Sequence, residues 1–375
     1  MKYYIIVGEA SGDLHASNLI AEIRKKDAQA EIRAWGGDLM KKQGATLVKH
    51  YRHLAFMGFV EVLFNFKAIM RNLKQCKADL LNFRPDAVIL VDYPGFNLRI
   101  ADFAHKNKLK VFYYISPQIW AWKRRRVYKI RKTVDKMLVI LPFEEEFYRR
   151  YGVNVTYVGN PLLDELSKLN VGGRKNFLRR NNLNENREII ALLPGSRRQE
   201  VGRMMGEMLK VVQDFPSYQF VVAGAPSLDK SFYTKLIGDA NVGLVENQTY
   251  ELLQNASAAL VASGTATLET ALLSVPEVVC YRANTISYKI AKHLVKVNHI
   301  SLVNLVMDAD VVKELIQDDF TRENISKELR ALLGDVKKQR KLLDDYDALR
   351  SKLGNAGASE KAANIIVTSL KAKRP

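Results

Sequence analysis

The chain has 375 residues, 47% apolar and 9% aromatic, enough to bury a large core and, at the usual domain size, to form two domains. No apolar run nears the roughly 20 residues of a spanning helix, and the two cysteines, Cys76 and Cys280, lie far apart without metal-ligand spacing, which argues against an embedded protein, a disulfide scaffold and a zinc site. With 58 Lys+Arg against 40 Asp+Glu the formal charge is +18, so the partner should be anionic: nucleic acid, acidic lipid headgroups and phosphorylated small substrates all qualify.

Strand-like runs alternate with amphipathic segments from the start, the pattern of an α/β protein with parallel sheets. The opening run, Tyr3 to Val7, has no charged leader before it, which predicts a cytoplasmic protein. It leads into Gly8-Glu9-Ala10-Ser11-Gly12-Asp13, which has neither the spacing of a dinucleotide fingerprint nor a Walker lysine. Its carboxylates suit a polyhydroxylated ligand better than a polyphosphate, although Ser11 and Asp13 read equally well as helix caps.

Further on, residues 54–71 are unusually aromatic and too short to span a bilayer. Phe59, Phe64 and Phe66 beside Lys67 and Arg71 make an apolar wedge next to cations, as an interfacial membrane contact needs, and a buried helix is the other reading. The run Ala87 to Val91 delivers Asp92 at its carboxyl end, where a rigidly held carboxylate could act as a general base. Pro94-Gly95 beside it is also a turn signal. After the run Val111 to Ile115, residues 116–132 interleave Trp120 and Trp122 with a dense basic run. That is either a nucleic-acid surface or a helix with a solvated basic face, and the apolar spacing of Val127, Ile130 and Val134 favours the helix.

The runs Lys136 to Ile140 and Val155 to Val158 complete the first set, and the polar stretch Asn170 to Glu188 reads as an interdomain linker. A second set follows at Ile189 to Leu193, Gln219 to Ala223, Ala258 to Ala262 and Glu277 to Cys280. Two turns there suit an anion. Pro194-Gly195-Ser196-Arg197 offers a hydroxyl, backbone N–H groups and a guanidinium before a helix. Ser263-Gly264-Thr265 does the same after a strand, with Glu269 one turn on, where a carboxylate can accept from a ribose diol; taken alone it reads as a capped core helix. Asn304 adds an amide that could read a sugar or a base. The stretch from Asp308 onward has helical period and ends in a basic tail.

With residues 8–13, Ser116 to Trp122, Pro194 to Arg197, Ser263 to Glu269 and Ser301 to Leu305 in this order, the chain resembles the bacterial lipid-A-disaccharide synthases over almost its whole length. The resemblance implies two Rossmann-like doubly wound α/β domains of the GT-B type facing across a cleft. The expected divisions are 1–165 for the acceptor and membrane side, 166–344 for the nucleotide sugar, and 345–375 for C-terminal helices returning to the first domain. It implies an inverting glycosyltransferase that joins a UDP-activated diacylglucosamine to a diacylglucosamine 1-phosphate and releases UDP, with no metal and no other cofactor. Such an enzyme is peripheral on the cytoplasmic face of the inner membrane and takes no nucleic acid as partner; a homodimer stays open.

Carried over by position, Asp92 would be the base on the acceptor's primary hydroxyl, with Glu9 beside it and Ser11 and Asp13 lining the same side. Ser196, Arg197, Ser263, Gly264 and Thr265 would hold the diphosphate, Glu269 the ribose, and Asn304 would help hold the nucleotide. Two departures are visible: Gly95 stands where the family often has a second aspartate, and Asn160 where many members have histidine. The competing functions are nucleic-acid binding through residues 116–132 and UDP-sugar epimerisation on the same fold.

Overall fold

A computed structural model describes residues 1–54, 66–169, 172–284, 288 and 297–372. The chain divides into two compact units, one of Met1–Lys168 with Leu353–Pro375, the other of Leu169–Lys352.

In the first unit the strands are β1 (Lys2–Ile6), β2 (Glu31–Gly36), β3 (Thr46–His50), β4 (Ala87–Val91), β5 (Lys110–Tyr114), β6 (Lys136–Val139) and β7 (Val155–Tyr157). They form one sheet in the order β3-β2-β1-β4-β5-β6-β7, and every pairing is parallel. A parallel sheet is covered on both faces, so alternate residues of one strand feed two different cores. Tyr4, Ile6, Val88, Leu90, Val111 and Tyr113 pack on one side, and Tyr3, Ile5, Ala87, Ile89, Phe112 and Tyr114 on the other.

The helix Ala358–Lys371 completes the second of these cores. Its Ala362, Ala363, Ile366, Val367 and Leu370 pack with Ala16, Leu19, Ile20 and Ile23 of the helix Ala10–Lys26. Asp164 fixes where it starts: its carboxylate accepts from the N–H groups of Gly357 at 2.6 Å, Ala358 at 3.1 Å and Ser359 at 2.9 Å. Those are first-turn donors with no intrahelical acceptor, and a negative charge there also meets the positive end of the helix dipole.

The second unit has β8 (Glu188–Leu193), β9 (Tyr218–Gly224), β10 (Val242–Glu246), β11 (Ala256–Ala262), β12 (Glu277–Tyr281) and β13 (Lys313–Ile316), in the order β10-β9-β8-β11-β12-β13 and again all parallel. The stretch expected to be a linker instead contributes to this unit's core. It forms the helix Arg174–Arg180, whose Phe177 and Leu178 are buried with Ile189, Ala191 and Leu252.

The helix Phe66–Phe83 buries Leu73, Cys76 and Leu80 and leaves Lys67, Met70, Arg71 and Lys74 exposed. Phe59 and Phe64, and the side chain of Phe66, lie outside the described residues. Among the described residues no helix is long and apolar enough to cross a membrane.

Replacing Asp164 by alanine strands three backbone donors, at a cost of about 1–3 kcal/mol. Chemical denaturation should show that loss. Amide exchange should quicken across 358–371 and stay unchanged in β8 to β13; uniform quickening, or none, would refute the capping role.

Candidate functional site

In an open parallel sheet ligands gather beyond the carboxyl ends of the strands where the strand order reverses. In the first unit that point lies between β1 and β4, and the pairing of Ile6 with Leu90 sets the two following loops side by side. The β1 loop carries Gly8 and Glu9, and the β4 loop carries Asp92. Gly8 is required there, because a Cβ at that position would lie 2.4 Å from the ring of Tyr93.

Asp92 is half-buried, with φ 42°, and Tyr93 follows with φ 48°. Two successive side chains in the left-handed region store about 1–3 kcal/mol each and persist only where the surroundings hold them. Here the holding groups are Asn97 and Tyr113. The Asp92 carbonyl accepts from the Tyr113 hydroxyl and from Asn97 Nδ2 at 2.8 Å, and the same amide donates to Val91 O at 3.1 Å. The Asp92 N–H donates to Ile115 O at 3.2 Å. Pro94 then opens the helix Pro94–Lys106, where its fixed φ suits the first turn. Residue type alone points to neither Asn97 nor Tyr113. Asn97 follows Asp92 by one helical turn and a loop, which is a readable signal, but the place of Tyr113 depends on the register of β4 with β5.

Glu9 flanks the helix Ala10–Lys26 and accepts from the exposed Ser11 hydroxyl at 3.1 Å. Asp13 departs from the expectation that it lines a ligand. It is 3% exposed, and its oxygens accept from the N–H groups of Gly37 at 2.7 Å, Leu39 at 3.1 Å and Met40 at 3.2 Å. Its carboxylate caps the helix Asp38–Lys42 and faces the interior. Asn160 is likewise a buried cap, accepting from Leu162 N at 3.0 Å.

The basic segment after β5 is anchored from within. The Ser116 hydroxyl meets Tyr148 Oη at 2.7 Å, and Trp120 is buried with its Nε1 donating to Glu144 Oε1 at 3.1 Å. Burial pushes the Glu144 carboxyl up to about 7. The helix Arg126–Thr133 buries Val127 and Ile130 and leaves Tyr128 exposed beside Arg131, and in the loop before it Trp122 is exposed beside Lys123.

In the second unit the strand order reverses between β8 and β11, where Leu193 pairs with Val261. The two turns read as anion sites therefore open from neighbouring strands. Gly195 takes φ +112°, a conformation that favours glycine. The exposed Ser196 and Arg197 precede the helix Arg198–Lys210. Glu200 reaches back to accept from Ser196 N at 3.2 Å, so a carboxylate already holds one donor of this turn. Across from it Gly264 and Thr265 are exposed at the start of the helix Thr265–Leu272, whose first N–H groups have no intrahelical acceptor. Thr267, passed over in the sequence, locks that turn: its Oγ1 donates to Gly264 O at 2.8 Å and accepts from Leu302 N at 3.3 Å.

Two further residues depart from expectation here. The Ser263 hydroxyl donates its hydrogen to Ile300 O at 2.9 Å, so it has none for a phosphate oxygen. Asn304 is fully buried and fully used. Its Nδ2 donates to Val312 O and Glu314 Oε1, and its Oδ1 accepts from Val311 N and Val312 N, which fastens the helix Leu302–Met307 to β13.

Glu269 stays half-buried one turn into its helix, with its carboxyl pushed up to about 7 by burial and partly drawn back by a hydrogen bond with Tyr250. Tyr250 is a second partner not legible in sequence, since it arrives from the separate helix Thr249–Gln254.

A model of the lipid-A-disaccharide synthetase family matches residues 3–367. The chain belongs to that family. A lipid-A-disaccharide synthase of Syntrophus aciditrophicus (strain SB) is 41% identical over 374 residues, 98% of this chain and 97% of the relative. One of Geobacter metallireducens (strain ATCC 53774 / DSM 7210 / GS-15) is 38% identical over 376 residues, 99% and 97% of the two chains. Among solved structures, the UDP-GlcNAc 2-epimerase of Neisseria meningitidis bound to UDP-GlcNAc superposes with a TM-score of 0.70 at 16% identity, covering 100% of both chains. The glycotransferase of kitacinnamycin does so with 0.66 at 13%, covering 98% of this chain and 99% of that one. At such identities the likeness shows the fold alone, two parallel-sheet α/β domains as the lipid-A-disaccharide synthase resemblance implied.

The Glu269 carboxyl sets a pH dependence of known sign. Its folded value of about 7 stands above the ordinary 4.5, so between these the native chain keeps a proton that the unfolded chain releases. Stability therefore falls as pH rises through this window. Glu269→Gln removes that contribution, so its melting temperature relative to wild type should rise from pH 5 to pH 8; a constant difference would contradict the assignment.

Proposed function

We propose that the chain catalyses the inverting transfer of a diacylglucosamine from UDP to the primary hydroxyl of a diacylglucosamine 1-phosphate, forming the lipid A disaccharide and releasing UDP. The observation that carries this reading is the pair of exposed turns, 195–197 and 264–265, on neighbouring strands where the second sheet reverses its order. Two helix N-termini, free first-turn donors and Arg197 suit a diphosphate, and Glu269 one turn deeper suits the ribose diol. Stabilising the departing UDP in this way lowers the barrier where negative charge develops.

In the first unit Asp92 takes the proton from the attacking hydroxyl, whose oxygen bonds to the anomeric carbon as the bond from that carbon to UDP breaks and its electron pair leaves with UDP. Glu9 and Ser11 line the acceptor side. Nucleic-acid binding loses its base-stacking pair, because the Trp120 ring is buried. The family separates the chain from the epimerases, which match it in fold at 16% identity or less.

Asp92→Asn should lower turnover by about 10²–10⁴-fold, the usual worth of a general base, while leaving UDP affinity in calorimetry unchanged. Turnover near wild type would remove Asp92 from the reaction; lost UDP affinity would mean that the variant disturbs the fold.

The enzyme works as a peripheral protein on the cytoplasmic face of the inner membrane, where its lipid substrates lie. Support comes from the aromatic residues Phe59, Phe64 and Phe66 next to the exposed Lys67 and Arg71, and from the charge of +18, which favours an anionic surface. Replacing the three phenylalanines by serine should reduce sedimentation with anionic vesicles and spare activity on detergent-dispersed substrate. Equal sedimentation would exclude this contact.

A further inference from the structure

The helix Arg126–Thr133 starts against the preference of its own dipole. Four cations in a row, Lys123 to Arg126, crowd its amino end and its first turn holds no acid, although the positive end of a helix favours negative charge. The run is set in a tight turn: Lys123 takes φ 56°, in the left-handed region, and its carbonyl accepts from Arg126 N at 2.9 Å. Val127 and Ile130 then share one core with Phe96, Leu98 and Ile100 of the helix Pro94–Lys106, which begins two residues after Asp92.

Arg126 is half-buried, and its guanidinium lies within charge reach of the Tyr113 phenol and of the like-charged Arg99. Asp92 acts on the same phenol, whose hydroxyl grips the Asp92 carbonyl. One tyrosine therefore links this cation to the loop of the proposed base. Burial foremost, with Arg99 adding to it, lowers the Arg126 guanidinium from its ordinary value, and burial and then Arg126 lower Lys123. Neither the Arg99 nor the Arg126 guanidinium makes a hydrogen bond or ion pair among the described residues. The helices Pro94–Lys106 and Arg126–Thr133 carry a single acid between them, Asp102, and it pairs with Lys106 at 2.9 Å. Cations that repel one another in this way, with that acid spent elsewhere, are costly to hold together unless an anion joins them.

We propose, resting on the transfer reaction above, that Arg126, with Lys123 and Arg99 around it, binds the 1-phosphate of the acceptor while Asp92 faces the acceptor's primary hydroxyl. In a glucosamine 1-phosphate these two groups flank the ring oxygen, so the cation that holds one stands a sugar ring away from the base that serves the other. Arginine suits the task, because its planar fork donates two parallel hydrogen bonds to phosphate oxygens. The residues already placed on the acceptor side do not: Glu9 repels a phosphate, and the Ser11 hydroxyl donates to Glu9. Once bound, the phosphate supplies the negative charge that the amino end of the helix Arg126–Thr133 lacks. Bilayer lipids carry phosphate too, but as a diester, and the test separates the two sources.

The test gives the full chain two acceptors in neutral detergent without bilayer lipid, diacylglucosamine 1-phosphate and the same lipid lacking the phosphate, at saturating UDP-diacylglucosamine. Wild type should favour the phosphorylated acceptor in kcat/KM by roughly 10–100-fold, the worth of a hydrogen bond to a charged group. Arg126→Gln should erase that preference by raising KM for the phosphorylated acceptor alone. Arg126→Lys should keep part of it, and carries the test should the glutamine variant fail to fold. Equilibrium binding of both lipids without the sugar donor separates site from reaction: a wild type that prefers the phosphorylated lipid and transfers nothing keeps the site and refutes the reaction, and one that transfers without that preference does the reverse. An undiminished preference in a folded Arg126 variant, or a loss shared equally by both acceptors, overturns the proposal. So does a variant that keeps the preference and loses sedimentation with anionic vesicles, because the cations then serve bilayer headgroups.

Discussion

Because both sheets are parallel and covered on both faces, the flat surfaces of the strands are spent on packing, and polar chemistry is left to the loops that leave their carboxyl ends. Tyr3 and Tyr4 lie on consecutive positions of β1 and still reach two different cores, which leaves neither face for a ligand. The same constraint recurs in the second unit, where Leu193 is buried and Ser196, only three residues later, is exposed. Everything assigned to substrate therefore depends on how those few loop residues are held.

They are held mainly through backbone carbonyls and helix starts. Asp92 keeps a left-handed backbone because Asn97 and Tyr113 both grip its carbonyl, which leaves the side chain to be aimed by the strand end. In the second unit Thr267 fastens the turn at Gly264 from below, while Glu200 occupies a donor of the neighbouring turn. In the proposed diphosphate site the Ser196 N–H is therefore already held by the Glu200 carboxylate, and a ligand taking that donor would have to displace Glu200.

Every central strand except β2 is legible in the sequence, and so is the edge strand β7, whereas the other three edge strands are not. β1, β4, β5, β8 and β11 are buried on both sides and read as unbroken apolar runs. β3, β10 and β13 lie at sheet edges, each with an exposed residue and others half-buried, so their composition does not stand out from a loop. β2 escaped because Arg33 and Glu31 interrupt it. At the site, residue types announced the turns, but side-chain direction decided their use. Asp13, Ser263 and Asn304 have the right chemistry and spend it on neighbouring backbone, and only the fold brings Gly37, Ile300 and Val312 close enough for that.

The cap that Asp164 places on the helix Ala358–Lys371 has a consequence for how the chain is made. On a ribosome the first unit's strands emerge early, yet the helix that covers Ala16, Leu19 and Ile23 is not translated until the whole second unit has been synthesised. Until then one apolar flank of the nascent protein stays uncovered while the second unit folds by itself. That interval is an opening for chaperones and for aggregation alike.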